Sequence, residues 1–305
     1  MLRYVGQRLL MMPVSLLLVL GLVFIIIRIT GDPVEIYLGI EATDEQIALL
    51  REKLHLNFSL PVQFLLFLAD VVRGDFGQSL QHHAPALPIV IERLGATIEL
   101  ALTSLVVAVT AGVGAGIIAA VRADRPADFV LSSLAVAGQS MPSFWLGILL
   151  IQLFSLELGW LPTSGRGSLA QLVLPSLTLA TFLLPNFVLV TRTAVLEMMR
   201  DPFVMTARAR GASETRILFR HIVPNAMNPV VSLLGLQVGR LIGGAVITES
   251  IFAWPGVGRL VIGSIFQRDL PVVIAAVFII SVVIVVTNLL VDLVQAAIDP
   301  RIRLV

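Results

Sequence analysis

Long uninterrupted apolar runs dominate the pattern of hydrophobic and polar positions. A bilayer core of about 30 Å needs roughly 20 apolar residues in an α-helix. Solid runs, rather than alternating apolar and polar positions, favour helices over the strands of a membrane barrel. The pattern therefore predicts an all-α membrane protein with six transmembrane helices, at about residues 9–29, 97–121, 129–156, 169–192, 224–248 and 270–293.

Prolines in the third and fourth predicted spans indicate bends. Pro142 lies in the third span and Pro185 in the fourth. Proline removes a backbone donor and its ring clashes with the preceding turn, so both positions predict kinks. A gating role for the kinks and simple tolerance of proline within a membrane bundle are both open at this point.

Basic residues near the ends of the spans predict the orientation of the chain. Short cytoplasmic loops are enriched in arginine and lysine. Three arginines, at positions 166, 259 and 268, fall in the short loops of one side. Twelve fall on the other side, at positions 3, 8, 122, 125, 192, 200, 208, 210, 216, 220, 301 and 303. Both termini are therefore predicted to be cytoplasmic, and the long segment 30–96 external.

Composition supports a multi-pass membrane protein and excludes several functions. Hydrophobic residues make up 57% of the chain and charged residues 13%, against about 25% charged in soluble domains. The absence of cysteine excludes disulfides and thiolate metal sites. The single lysine, Lys53, precedes Leu54, so no phosphate-binding Gly-Lys-Ser/Thr motif exists and any nucleotide must bind a partner. A net charge of +1 does not indicate nucleic-acid binding.

The external segment after the first span has helical signals of its own. Thr43 and Gln46 form a capping-box pattern, and Pro61 suits the first position of a second helix. These two short helices are either a docking or lid element or a brace for the bundle. His82 and His83 are adjacent, but two side chains are too few for a closed metal site, and an exposed loop pair is the favoured interpretation.

The connection between the fourth and fifth spans predicts a compact helical unit. Asp201 and Pro202 are typical of a helix start, and Gly211 suits the left-handed position that ends a helix. Ser213 is a predicted cap for a second short helix, which Pro224 interrupts before the fifth span. An ordinary basic loop needs none of these features, so the unit indicates a rigid lever for a cytoplasmic partner.

Two sequence blocks, with several shorter motifs, carry a family resemblance. The stretch TARARGASE (residues 206–214) with HIVP (221–224) resembles the cytoplasmic loop of permeases in binding-protein-dependent ABC importers. Ala207, Gly211 and Pro224 match that family's spacing, whereas Met205 and Thr206 replace its Glu-Ala. The blocks ESIFAWPGVGR (249–259) and RDLPV (268–272) resemble B-type permeases of dipeptide, oligopeptide, glutathione and nickel importers, as do GDP (31–33), GDFG (74–77), MPSFW (141–145) and GWLP (159–162).

The resemblance implies a type I importer permease in the bacterial inner membrane. Residues 1–95 would form the first helix and the external segment, residues 96–297 the permease core, and 298–305 a cytoplasmic tail. The chain would pair with a second homologous permease, two cytoplasmic ATPases and an external substrate-binding protein. It would have no catalytic residue, metal or cofactor of its own, because ATP and magnesium belong to the ATPases. The expected cargo is a di- or oligopeptide, with glutathione, nickel or a metal chelate as alternatives.

The resemblance also implies a coupling helix at about residues 202–210, which fits a groove on an ATPase. The coupling residues implied by position are Asp201, Pro202, Phe203, Ala207, Arg208, Arg210, Gly211 and Pro224.

Polar residues within spans are costly in lipid and are candidates for the translocation path. The candidates are Gln139, Asn186, Gln237, Arg240 and Glu249.

Glycines at a spacing of four predict close helix packing in the fifth span. Gly235, Gly239 and Gly243 form this stripe, which packs against either the second permease or another helix of the same chain.

Two other classes of protein fit the sequence less well. An intramembrane serine protease needs a histidine at membrane depth, which no span supplies. A secondary transporter without ATPases would show internal repeats, and none is evident.

Overall fold

The computed structural model describes residues 2–30, 34, 45, 48, 51–52 and 56–298. The predicted helix start at Thr43 and Gln46, the GDP motif and residues 299–305 of the predicted tail lie outside the described residues. Helices dominate the described part, where the only bridge between extended segments pairs Gln78 with Pro85. The predicted all-helical class is confirmed.

Twelve α-helices and two π-helical turns make up the described regular structure. Each π-helical turn extends the α-helix that precedes it. The α-helices are α1 (Leu2–Thr30), α2 (Leu60–Arg73), α3 (Ala86–Val121), α4 (Pro126–Ser140), α5 (Ser143–Leu150), α6 (Leu169–Thr181), α7 (Leu184–Met199), α8 (Pro202–Ala209), α9 (Glu214–Ile217), α10 (Val223–Ile251), α11 (Val257–Phe266) and α12 (Leu270–Ile298), and the π-helical turns are Ile151–Glu157 and Leu218–Ile222.

Apolar helices occupy all six predicted span positions, but few of them are long and straight. Within the described residues, Ala86–Val121 and Leu270–Val291 are continuous helices long and apolar enough to cross a membrane. Three bent pairs raise the total to as many as five spans if each pair is counted as one. Leu10–Ile26 is a shorter apolar helix. The count of six spans and the cytoplasmic position of both termini stay predictions.

The chain bends near Pro142 and Pro185, where the sequence predicts kinks. Helices α4 and α5 meet at 106°, with Met141 and Pro142 between them. Met141 is extended at φ −87° and ψ 132°, the conformation that a following proline imposes. Helices α6 and α7 meet at 57°, just ahead of Pro185. The 106° angle makes residues 126–157 a sharply bent pair of helices, and the single third span over residues 129–156 stays a prediction.

The chain divides into two compact units, residues 1–95 with 256–289 and residues 96–255 with 290–305. In the first unit, buried Asp269 fixes the loop that follows α2. Its carboxylate accepts hydrogen bonds from the Ser79 hydroxyl at 2.5 Å and from the N–H of Leu80 at 3.2 Å. His82 and His83 are exposed on this loop, as predicted.

The core of the second unit brings together α3, α6, α7 and α10 around Phe187, Leu183 and Trp254. Two glycines that sequence reasoning missed allow α3 to approach α7 closely. A Cβ atom at Gly112 would lie 2.6 Å from Cβ of Phe187, and one at Gly116 would lie 2.7 Å from the carbonyl oxygen of Val188. No other residue type fits there without moving one of the helices.

We expect Gly116→Ala to destabilise the protein because the new methyl group must displace the backbone of α7. Overpacking of this kind costs about 1–3 kcal/mol. The matched control is Gly114→Ala on the same helix, where a Cβ meets nothing within 4 Å. Thermal unfolding of the detergent-purified protein should show a lower Tm for the first variant and no loss for the second. Equal Tm values for the two variants would show that the contact between α3 and α7 can accept a methyl group at Gly116.

Candidate coupling loop and translocation path

The connection between α7 and α10 begins with the helix cap that the sequence predicts. Helix α7 ends at Met199, and Asp201 is extended at φ −70° and ψ 140°. Its carboxylate accepts a hydrogen bond from the N–H of Phe203 at 3.2 Å. Pro202 lies in the first turn of α8, where its missing N–H leaves no partner unsatisfied. The predicted start of the lever is therefore confirmed.

Gly211 ends α8 in the left-handed conformation, at φ 79°. Its N–H donates to the carbonyl oxygen of Arg208 at 2.9 Å. The Ser213 hydroxyl then caps α9 by accepting from the N–H of Arg216 at 3.4 Å. A Cβ at Gly211 would meet no atom within 4 Å, so positive φ, and not space, requires glycine here.

An ion pair that the sequence did not predict spans the Gly211 turn. Arg208 donates to Glu214 from Nε at 2.7 Å and from one terminal nitrogen at 3.0 Å. The hydrogen bonds from Arg208 lower the pKa of Glu214, and those to Glu214 raise the pKa of Arg208. Both side chains are exposed, so the pair orients the turn more than it stabilises the fold.

The lever is anchored on one side and free on the other. Val204 of α8 and Ile217 of α9 have no exposed surface, and both pack in a cluster with Val195 of α7 and Ile222. Phe203 and Ala207 are half-buried against the same cluster. The exposed side carries Pro202, Met205, Thr206, Arg208, Ala209, Arg210 and Gly211. Pro224 is exposed in the first turn of α10.

A partly buried ion pair joins α4 to α7, the helix that leads into the lever. Arg192 donates to both carboxylate oxygens of Asp128, at 2.6 and 2.7 Å. The carboxylate also accepts from the N–H of Asp124 at 3.1 Å and from the Ser132 hydroxyl at 3.3 Å. Asp128 precedes the predicted third span, and the Arg192 guanidinium lowers its pKa to about 2. Sequence reasoning missed this pair because its partners are 64 residues apart.

The predicted path residues lie on three helices. Gln139 is exposed on α4, and Asn186 is half-buried in the first turn of α7. Gln237 and Glu249 lie on the buried side of α10, where Glu249 accepts from the Thr97 hydroxyl at 2.7 Å. The Gln237 side-chain oxygen is buried without a partner among the described residues. Arg240 lies on the exposed side of α10.

The predicted glycine stripe of α10 turns progressively outward. Gly235 is buried, Gly239 is half-buried and Gly243 is exposed. A Cβ at Gly243 would meet nothing within 4 Å, whereas one at the neighbouring Gly244 would lie 3.0 Å from Leu179. Gly243 therefore has no close neighbour among the described residues, and packing of the stripe against a second chain stays a prediction.

The tryptophan of the motif before α11 is packed within the second unit. Trp254 is buried and its indole N–H donates to the carbonyl oxygen of Ala96 at 2.8 Å. Arg166 lies over the same ring and pairs with Glu99 at 2.6 Å. These contacts tie the connection after α5 to α3, so the tryptophan of the motif has a structural role.

Loss of the Asp128–Arg192 pair should destabilise the protein, because either partner alone would be left as a poorly hydrated charge. Breaking a buried pair costs about 3–5 kcal/mol, and we expect the lower end since Arg192 is 28% exposed. We predict similar losses of Tm for Asp128→Asn and Arg192→Gln, and little further loss in the double variant. The lowered pKa means that the stabilisation is complete above pH 3.8 and is lost as the pH falls toward 2.

The exposed Arg208–Glu214 pair supplies the control for that experiment. Arg208→Gln and Glu214→Gln should leave Tm unchanged, since water replaces the lost contacts. Additive losses in the Asp128 and Arg192 double variant would contradict a direct interaction between the two side chains.

Comparison with known proteins gives consistent matches over the whole chain. Residues 112–304 match the family model described as "Binding-protein-dependent transport system inner membrane component". Residues 1–101 match the model for the N-terminal part of such membrane components. The glutathione transport system permease protein GsiC of Salmonella choleraesuis is 43% identical over 99% of both chains. GsiC of Escherichia coli K12 is 42% identical over the same share.

Solved structures show the same fold at lower identity. The methionine ABC transporter MetNI, in inward-facing conformations, matches with a TM-score of 0.57 and 15% identity, over 69% of this chain and 96% of the other. An amino acid ABC transporter solved with histidines matches with a TM-score of 0.54 and 19% identity, over 69% and 94%. The part of the chain that these matches cover therefore has the fold of type I importer permeases.

Proposed function

Because the chain belongs to the family of binding-protein-dependent transport system inner membrane components and is the permease of an ABC importer, we propose that it forms half of the pore through which a short peptide enters the cell. Membership of this family supports an ABC importer over the alternative class of a secondary transporter without ATPases. Membership of this family implies that the chain works with a substrate-binding protein and ATPase subunits.

The capped and anchored lever is the observation that carries the proposal. A helix that transmits force must not bend or slide on its support. Helix α8 has a fixed start at Asp201, a fixed end at Gly211 and a buried contact through Val204. Its other side is exposed, which supports docking onto a cytoplasmic ATPase. ATP would then shift the balance of inward-facing and outward-facing states through this contact.

A short peptide with free carboxylates is the proposed cargo. Relatives 42–43% identical over 99% of the chain are glutathione permeases, and glutathione is itself a tripeptide. Their similarity supports a peptide-like solute, in agreement with the resemblance to dipeptide and oligopeptide permeases. The external binding protein would select among such peptides before they reach the pore.

The proposed assembly has two permeases, two ATPases that hold ATP and magnesium, and one external binding protein. It lies in the bacterial inner membrane, with both termini of this chain in the cytoplasm. The twelve-to-three asymmetry of arginines supports that orientation. Two ATPase sites need two coupling helices, which supports a second, homologous permease.

We predict that Gly211→Val uncouples transport from ATP hydrolysis. A β-branched side chain at φ 79° is strained by about 1 kcal/mol or more, so the end of α8 would shift relative to the ATPase. The measurement is ATPase activity of the reconstituted importer, with and without loaded binding protein, alongside membrane abundance. Stimulation should fall several-fold at normal abundance.

Gly211→Asn is the matched control, because asparagine tolerates the left-handed conformation better than other residues. It should retain most of the stimulation. Normal stimulation and uptake in Gly211→Val would contradict a coupling role for this turn. Loss of abundance in both variants would indicate a role in assembly instead.

A further inference from the structure

One side of α10 is exposed along its whole length. At 100° per residue, the exposed positions from Asn225 onward fall within about a third of the circumference of the helix. The opposite side is buried by Val230, Leu241 and Ala245, among others. The exposed face consists of Asn225, Asn228, Pro229, Ser232, Leu236, Arg240, Gly243, Ile247 and Ser250.

This exposed face of α10 differs in character from an exposed face of α3 in the same unit. On α3 the exposed side chains at Ile98, Leu102 and Val106 are all apolar, as lipid contact requires. On α10 the hydroxyls of Ser232 and Ser250 donate to carbonyl oxygens of their own helix, which makes them tolerable in lipid. The guanidinium of Arg240 has five donors and cannot be satisfied in that way.

Arg240 lies well inside the helix. It lies eleven positions before Ile251, the last residue of the helix, or about 16 Å along the axis. It has no ion-pair partner among the described residues, and the nearest exposed neighbours one turn away on either side are Leu236 and Gly243. A charged side chain at such depth faces water or a polar ligand, because lipid solvates it poorly.

We propose that the exposed face of α10 lines the translocation path and that Arg240 is its anion-recognising residue, contacting the carboxylate groups of the substrate. The inference rests on the proposed function and specifies that the group recognised on the substrate is negatively charged. A guanidinium matches a carboxylate with two parallel hydrogen bonds, whereas neutral or cationic groups gain nothing from it. The open space at Gly243 leaves room for a ligand beside the guanidinium.

The absence of cysteine from the chain allows a direct test. Single cysteines are placed at Leu236 and Gly243, with Val106→Cys on the α3 face as control. The complete importer, in membrane vesicles, is treated with an anionic reagent, methanethiosulfonate ethylsulfonate, and a cationic one, methanethiosulfonate ethyltrimethylammonium. We expect both reagents to modify the two α10 positions and neither to modify the control.

The effect of the Arg240 charge is measured as the ratio of the rate of modification by the anionic reagent to the rate of modification by the cationic reagent. Arg240→Gln should lower the anionic-to-cationic ratio at Gly243→Cys at least fivefold, and Arg240→Lys should largely preserve it. Comparing ratios between backgrounds cancels the different intrinsic reactivities of the reagents. An N-acetylated dipeptide with a free carboxylate should slow the modification, and its amide should not, but only when Arg240 is present.

The outcomes separate the two proposals. Failure of both α10 positions to react would place this face against lipid or another chain and would overturn the path and the role of Arg240 together. Reaction with a ratio unaffected by Arg240→Gln, or equal protection by the carboxylate and the amide, would overturn anion recognition alone and leave the proposed path standing.

Discussion

The burial of Val204 and Ile217 against α7 and the start of α10 is the contact on which the mechanism depends. Both side chains have no exposed surface, so α8 and α9 cannot shift without disturbing the ends of the spanning helices. A basic loop held only by its ends would absorb motion by bending. Because this loop is capped, turned at a fixed glycine and packed on one side, we expect a displacement of α8 to displace α7 and α10 as well.

A second contact spreads that displacement to another helix. The Asp128–Arg192 pair ties α4 to α7 close to the point where the lever begins. Helix α4 then turns by 106° into α5 at Met141 and Pro142. Movement of the lever is therefore passed to a helix that changes direction sharply, through a pair whose separation would leave a carboxylate and a guanidinium poorly hydrated.

Local rules predicted the features that depend on neighbouring residues. The cap at Asp201, the stop at Gly211 and the kinks near Pro142 and Pro185 each follow from the conformations those residues allow. The ion pair of Asp128 with Arg192, the contact of Asp269 with Ser79 and the close approach at Gly112 and Gly116 were not predictable, because no local pattern tells which helices meet. The angle at Pro142 was also missed, since a proline favours a bend but packing determines how far the helix turns.

The central claim is that the exposed side of α8 contacts an ATPase, and site-specific photocrosslinking tests it most directly. Met205 is 71% exposed on that side, and Trp160, 68% exposed on the predicted external side, is the control. With p-benzoylphenylalanine at each position in the complete importer, the account predicts an ATPase adduct from position 205 and none from position 160. Absence of an ATPase adduct from position 205, in an importer that still hydrolyses ATP, would contradict it.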